Sequence, residues 1–274
     1  MIYICSDLHG CFNIFKKFYN TLDLKNNKLI INGDCIDRGN NSAPLVDFII
    51  SHDNVELILG NHEYYYLNCF NIIEDNLKDG YLDLQVLNSY SEVFLHWIQN
   101  GGNKTVESFN KFNKLYKRNL YKDFYIYLQK CKKYLIVNNN LIIHANPNIE
   151  PIHFMDSISL RNYLKSLNDY DLFENRDFSD KTFIKDVDIC NPNYNIFVGH
   201  TPITYYERKP LDGIRNSKFI RLSRRFGTKI VNTDLGVFLT KSLCFYNLSR
   251  DRYFYNLGDN LYKSDINTLK SSIK

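Results

Sequence analysis

No C-x-x-C pair, no apolar run of membrane-spanning length and no low-complexity linker occurs in this 274-residue sequence, and each absence removes a class of protein. The seven cysteines (5, 11, 35, 69, 131, 190 and 244) are an odd number at scattered spacings. That argues against a disulfide framework and against a structural zinc site, and it predicts reduced thiols in a cytoplasmic protein. A membrane span needs about 18 consecutive apolar residues, so no membrane partner is expected. Met1-Ile2-Tyr3-Ile4-Cys5 runs straight into a polar motif without the regions of a secretory leader. The net charge of +4 is too mild to imply specific nucleic-acid binding. Apolar residues make up 44%, which suits a chain that buries a substantial core.

What is present begins with short apolar runs that end in polar motifs. Ile2–Cys5 ends at Ser6-Asp7, Leu29–Ile31 at Gly33-Asp34, and Val55–Leu59 at Gly60-Asn61. Between them, Phe12, Phe15, Phe18 and Tyr19, then Leu45, Val46, Phe48, Ile49 and Ile50, have helical spacing. Strand alternating with helix predicts parallel strands in a covered sheet, with ligands beyond the carboxyl ends of the strands. Residues 64–135 read as mainly helical, interrupted by Asn100-Gly101-Gly102-Asn103. Leu135–Val137 and Leu141–Ile143 read as a hairpin or two adjacent strands, and Ile196–Val198 as a further strand. Phe219–Leu222, Lys229–Val231, Val237–Thr240, Leu243–Tyr246 and Arg252–Tyr255 read as antiparallel strands. The expected fold is α/β (α+β): two packed mixed β-sheets flanked by helices.

Five strand ends carry chemistry. In Asp7-Leu8-His9-Gly10, side chains two apart on extended backbone point the same way, so Asp7 and His9 can grip one cation. Gly33-Asp34-Cys35-Ile36-Asp37-Arg38-Gly39 packs two carboxylates and an arginine between glycines; such carboxylates repel unless a cation balances them. In Gly60-Asn61-His62-Glu63, the Asn61 carbonyl is a neutral hard ligand and the adjacent His62 can donate a proton. His144 follows Leu141-Ile142-Ile143, and His200 follows Phe197-Val198-Gly199. Each motif alone has a bland reading as a turn, a surface ion pair or a solvated loop; five in this order do not.

The ordered motifs D-x-H-G, G-D-x-x-D-R-G and G-N-H-E, with the later histidines, resemble the phosphoprotein phosphatase family of metallophosphoesterases, above all its small bacterial and phage members. Symmetrical diadenosine tetraphosphatases belong to the same superfamily. Residues 100–109, 172–177 and 232–236 resemble further segments of the bacterial branch, so the likeness spans roughly 1–245. The resemblance implies a metallo-dependent phosphatase fold and one calcineurin-like domain over 1–274, with the helical stretch 64–135 as an insertion. It implies two divalent cations, Mn²⁺ before Fe or Zn²⁺, since the ligands mix oxygen with imidazole and include no thiolate. Asp7 and His9 would hold one, Asp34 would bridge, and Asn61, His144 and His200 would hold the other. Pro202 stands where related enzymes place another histidine. Two cations about 3.5–4 Å apart share a water and lower its pKa, so the expected reaction is direct attack by hydroxide on a phosphomonoester. His62 would be the general acid, Asp37 would hold its ring, and Arg38 and Arg176 would grip the phosphate, with Arg161 as the fallback for the second arginine. Asn61 would also face the phosphate, and Glu63 would support its loop.

The implied activity is serine/threonine protein phosphatase, extending to phosphotyrosine; the alternative is symmetrical hydrolysis of a dinucleoside tetraphosphate, and a remote one an inert phosphate-binding module. The partner is therefore a phosphoprotein or nucleotide substrate. His52, His96 and His153 fall outside the motifs, and Trp97 reads as helix core. The basic segment 207–229 is either a rim that attracts anionic substrate or a solvated loop. Asn146 replaces the family's glycine and Glu174 an aromatic, which bears on substrate choice.

Overall fold

The computed structural model describes residues 1–85, 91–145, 152, 155–176, 194–203, 220–222, 229–257 and 260–265. The chain opens with β1 (Ile2–Cys5), α1 (Phe12–Thr21), β2 (Lys28–Asn32), α2 (Ser42–Ile50), β3 (Val55–Ile58) and α3 (Asn61–Asn76). A short hairpin, β4 (Leu77–Lys78) and β5 (Tyr81–Leu82), leads to α4 (Glu92–Trp97), a π-helical turn (Ile98–Gly102), α5 (Asn103–Tyr116) and α6 (Leu120–Leu128). Then come β6 (Tyr134–Val137), β7 (Asn140–Ile143), α7 (Ser157–Ser166), α8 (Asp169–Phe173) and β8 (Asn195–Val198). The described chain ends with β9 (Ile220–Leu222), β10 (Lys229–Asn232), α9 (Val237–Thr240), β11 (Cys244–Asn247), β12 (Arg252–Leu257) and β13 (Asn260–Asp265).

Two mixed sheets result, one in the order β13-β12-β11-β1-β2-β3 and one in the order β6-β7-β8-β10-β9. β1, β2 and β3 are parallel, as strand alternating with helix requires. The sheets face each other through every second residue: Ile4, Ile30, Ile58, Ile142, Phe197, Val231 and Tyr246 form one apolar layer. Their neighbours Cys5, Ile31, Leu57, Ile143, Val198 and Phe245 point away, into the core that the helices cover. The period of two in the apolar runs is the cause, since alternate side chains of a strand leave opposite faces. Helix α1 supplies Phe15, Phe18 and Tyr19 to the outer core from one face.

One strand expectation is corrected. Val237–Thr240 is a helical turn, not a strand. Gly236 enters it at φ 65°, and Thr240 Oγ1 donates back to the carbonyls of Leu235 and Gly236 at 3.0 and 3.1 Å. A four-residue apolar run cannot tell a period of 2 from one of 3.6, so local hydrogen bonding decided. The other tail strands pair antiparallel among themselves, β9 with β10, β11 with β12 and β12 with β13, and β10 also runs parallel to β8 on its other side. The hairpin reading of 135–143 stands, with β6 and β7 joined through Asn138-Asn139. Among the described residues no helix is long and apolar enough to cross a membrane. The side chains of the basic segment 207–229, together with Asn146 and His153, lie outside the described residues.

Candidate metal centre

Each motif sits at the carboxyl end of a strand, where the chain turns sharply toward one point. Asp7, His9, Asp34, Asp37, Arg38 and His200 all have positive φ, between 40° and 69°. That is half of the twelve non-glycine residues in the left-handed region among the described residues. Asp and His tolerate it better than most residues, but each instance stores strain that the surrounding bonds must hold. Those bonds are present: the backbone N–H groups of Asp7, His9 and Gly10 donate to the carbonyls of Gly33, Asp34 and Cys35 at 3.0, 2.9 and 2.8 Å. Glu63 completes the clamp by accepting from the N–H groups of Asp34, Cys35 and Gly60 at 2.7, 2.8 and 3.0 Å. It supports the loop, as expected.

Asp34 is the hub. Its carboxylate lies within 4.8 Å of ligand nitrogens of His9 and His62 on one side and of His144 and His200 on the other. Asn61 Oδ1 stands 3.2 Å from His144 Nε2 and 3.1 Å from His200 Nδ1. Three of the imidazoles have their second nitrogen taken up by a backbone carbonyl: His9 Nδ1 by Ile36 (2.9 Å), His144 Nδ1 by Asn32 (2.9 Å) and His200 Nε2 by Glu174 (3.1 Å). That turns the other nitrogen toward Asp34 or Asn61, the arrangement of a histidine set up to ligate once that nitrogen carries no proton. An amide oxygen, two imidazole nitrogens and a carboxylate converge there, a mixed oxygen and nitrogen donor set that a divalent cation fits in place of the proton on His144. Turned end for end, the Asn61 amide would instead donate to His144, His200 and Asp34; only the carbonyl orientation suits a metal.

Electrostatics support the same fit. Asp7, Asp34, Asp37, Glu63 and Asp234 are all nearly inaccessible, an excess of buried carboxylate that calls for a cation. Burial alone raises the Asp34 carboxyl, but His144 and His62 hold it well below the usual range. Burial, and then the charge of Asp234, pushes Asp7 well up. His144 is disfavoured as a cation by burial, yet Asp34 keeps a proton on it to about pKa 10. Burial lowers His9, helped by Arg38, and lowers His200, helped by His144; both are neutral, as ligands must be.

His62 lies deeper. Its Nδ1 donates to Asp37 Oδ2 at 2.7 Å. The same oxygen accepts from Trp97 Nε1 at 2.9 Å, and Asp37 Oδ1 accepts from Thr105 Oγ1 at 2.5 Å. Arg38 bridges the two imidazoles, with Nη1 2.8 Å from His9 Nε2 and Nη2 2.9 Å from His62 Nε2. Asp7 lies outside both ligand groups; its oxygens accept the backbone N–H of His200 at 3.0 and 3.1 Å. Arg176 donates to the His200 carbonyl (3.2 Å) and Thr201 Oγ1 (2.8 Å), at the edge of the centre. Arg161, the fallback arginine, lines a separate cavity that contains none of these residues.

Sequence reasoning missed several participants. Trp97 is core, but its indole N–H also holds Asp37. Asp234 is buried beside Asp7, its carboxyl pushed up to about 6 by burial and Asp34 against a bond from Gly236 N–H. Tyr65 donates to Glu174 Oε1 and lies 5.8 Å from the His62 ring. The Asn-Gly-Gly-x-x-Thr segment signalled Thr105; nothing signalled Tyr65.

A family model described as calcineurin-like phosphoesterase matches residues 1–231. Among curated proteins, a symmetrical bis(5'-nucleosyl)-tetraphosphatase of Buchnera aphidicola (subsp. Acyrthosiphon pisum) is 31% identical over 100 residues, 35% of this chain and 36% of that protein. A mouse serine/threonine-protein phosphatase with EF-hands 1 is 42% identical over 74 residues, 24% of this chain and 11% of that protein. The chain therefore spans about a third or less of the length of these relatives. Among solved structures, a cold-active protein-tyrosine phosphatase of a psychrophilic Shewanella species superposes with a TM-score of 0.52 at 17% identity. That superposition covers 96% of this chain and 79% of the other.

Proposed function

The chain belongs to the calcineurin-like phosphoesterase family, and we propose that it is a metal-dependent phosphoric ester hydrolase working with two divalent cations, Mn²⁺ in first place. The observation that carries this is the convergence of Asn61 Oδ1, His144 Nε2 and His200 Nδ1 on Asp34, a buried oxygen and imidazole donor set. Asp34 and His9, with Asp7 turned in from the His200 N–H, would hold one cation, and Asp34, Asn61, His144 and His200 would hold the other. Bound cations supply Lewis acidity and lower the pKa of water toward neutrality. The rest falls to the chain's own side chains. His62, with its ring locked by Asp37, hands a proton from Nε2 to the leaving oxygen. Arg38 grips the phosphoryl oxygens in forked geometry, which requires Nη1 to leave His9 Nε2 and Nη2 to leave His62 Nε2, freeing the latter to carry the proton it delivers. Arg176, anchored by His200 and Thr201, is the second phosphate arginine. The free state of all six described cysteines supports a cytosolic protein. The apolar cluster running from Tyr3 through Phe124 to Phe245 supports one domain, with 64–135 as its insertion.

For the substrate, we favour the phosphomonoester of a serine or threonine side chain, supported by the 42% identity to the mouse phosphatase. The second reading, symmetrical cleavage of a dinucleoside tetraphosphate, is supported by the 31% identity to the Buchnera enzyme. A panel run with Mn²⁺ on a phosphothreonine peptide, diadenosine tetraphosphate and simple nucleotides decides between them. The peptide is expected to give the highest kcat/KM; a preference for the dinucleotide, with ADP as product, hands the case to the second reading. Failure to hydrolyse p-nitrophenyl phosphate with Mn²⁺ would revive the remote reading, an inert phosphate-binding module.

A further inference from the structure

β6 is the outer strand of its sheet, so among the described residues one of its long sides pairs with no strand. Beside that side lies a cavity of about 550 Å³, lined by the consecutive residues 132–136 and by Arg161, Leu164 and Lys165 of α7. The register determines which backbone groups of β6 face outward. Val137 pairs with Asn140 across the two-residue turn Asn138-Asn139, and Leu135 with Ile142. In such a hairpin the pair next to the turn exchanges both hydrogen bonds, and bonded pairs then alternate with unbonded ones. Val137 and Leu135 therefore direct N–H and C=O to β7, while Ile136 and Tyr134 direct theirs away from it. Among the described residues no backbone group takes these up. An open row of donors and acceptors of this kind accepts an added strand.

The charges beside the edge say what kind of strand. Arg161 and Lys165 are exposed and lie four apart on α7. Like charges at that spacing repel by tenths of a kcal/mol, and among the described residues neither has a carboxylate partner. The other two cations of the cavity are already committed: Lys132 to Glu56 and Lys133 to Asp169, each at 3.0 Å. Two positive charges are thus in surplus above a floor that includes the buried Leu164 and Leu172. The wall reaches the metal centre as well, because Glu174, two residues beyond Leu172, holds His200 through its carbonyl.

We propose that the β6 edge and the facing side of α7 form a docking groove for an extended acidic segment of a partner protein. The segment adds to the sheet as a strand, bonding Tyr134 and Ile136, and sets its carboxylates on Arg161 and Lys165. The test uses the full chain and a fluorescein-labelled, N-acetylated hexapeptide of alternating acidic residues and valine. Fluorescence anisotropy follows binding, and hydrogen exchange follows the amides of Tyr134 and Ile136. The wild-type protein is expected to bind, and those two amides to slow on binding. The double substitution R161E/K165E should weaken binding by about tenfold or more without changing hydrolysis of p-nitrophenyl phosphate. Should that reversal destabilise α7, R161Q/K165Q removes both charges and tests the same point. Equal binding by the variants overturns the proposal, as does binding without amide protection. So does absence of binding up to roughly 1 mM peptide, about −4 kcal/mol, or attachment to phosphatidylserine vesicles in place of the peptide.

Discussion

Arg38 holds both His9 Nε2 and His62 Nε2 with one guanidinium, so an organic cation stands where the proposed chemistry needs a metal and a phosphate. Truncating it separates the two roles. Arg38→Ala should raise KM for p-nitrophenyl phosphate by roughly 10–100-fold, the worth of a charge-assisted bond, and leave Mn²⁺ affinity intact or tighter. Weaker Mn²⁺ binding in calorimetry would mean that Arg38 builds the site rather than serving the substrate. Asp34→Asn removes the one charge common to both ligand groups and should abolish Mn²⁺-dependent turnover; near-normal hydrolysis would end its role as a bridge. His144 makes a third point. Despite its burial, Asp34 keeps it protonated to about pKa 10 without metal, and a ligating imidazole must be neutral. Mn²⁺ binding near neutral pH should therefore release a proton, and affinity should rise as pH rises toward 10. Calorimetry in buffers of different ionisation enthalpy measures the release; identical heats would contradict it.

At the scale of elements, the π-helical turn 98–102 links the insertion to the centre. Gly101 has φ 105°, its carbonyl accepts Arg38 N–H at 3.2 Å, and a Cβ there would lie 2.7 Å from that nitrogen. Local departures of this kind from the α-helix concentrate at functional sites. Gly101→Ala combines a disfavoured φ with a backbone clash and should cost about 1–3 kcal/mol. Because the displaced atoms belong to Arg38, KM should rise too; a urea midpoint and a KM both equal to wild type would refute the coupling. The helical insertion also supplies Trp97 and Thr105, which with His62 saturate the Asp37 carboxylate. None of this is visible from the Asp37-Arg38 motif, because Trp97 and Thr105 lie 60 and 68 residues further along.

For the whole molecule, the loops converge because two sheets are held face to face. Phe197 is 1% exposed in that layer and meets the Tyr246 ring edge-on, with centroids 5.0 Å apart. Phe197→Ala should cost about 3–5 kcal/mol. It should also loosen His200, three residues on, so the denaturant midpoint and Mn²⁺ affinity should fall together; loss of neither would uncouple the layer from the centre. The sequence by itself determined the strands that end in chemistry and the parallel order of the first three. Alternation of period two, and motifs placed directly after it, are local signals carried by side-chain direction. Only the tertiary structure decided which donor groups meet: Asn32 fixing His144 across 112 residues, Asn61 facing His200 across 139, Asp34 between them. It also decided that Val237–Thr240 coils and that Arg161 lines a different cavity. Those outcomes depend on how the sheets stack and where buried backbone groups find partners, which no short stretch of sequence encodes.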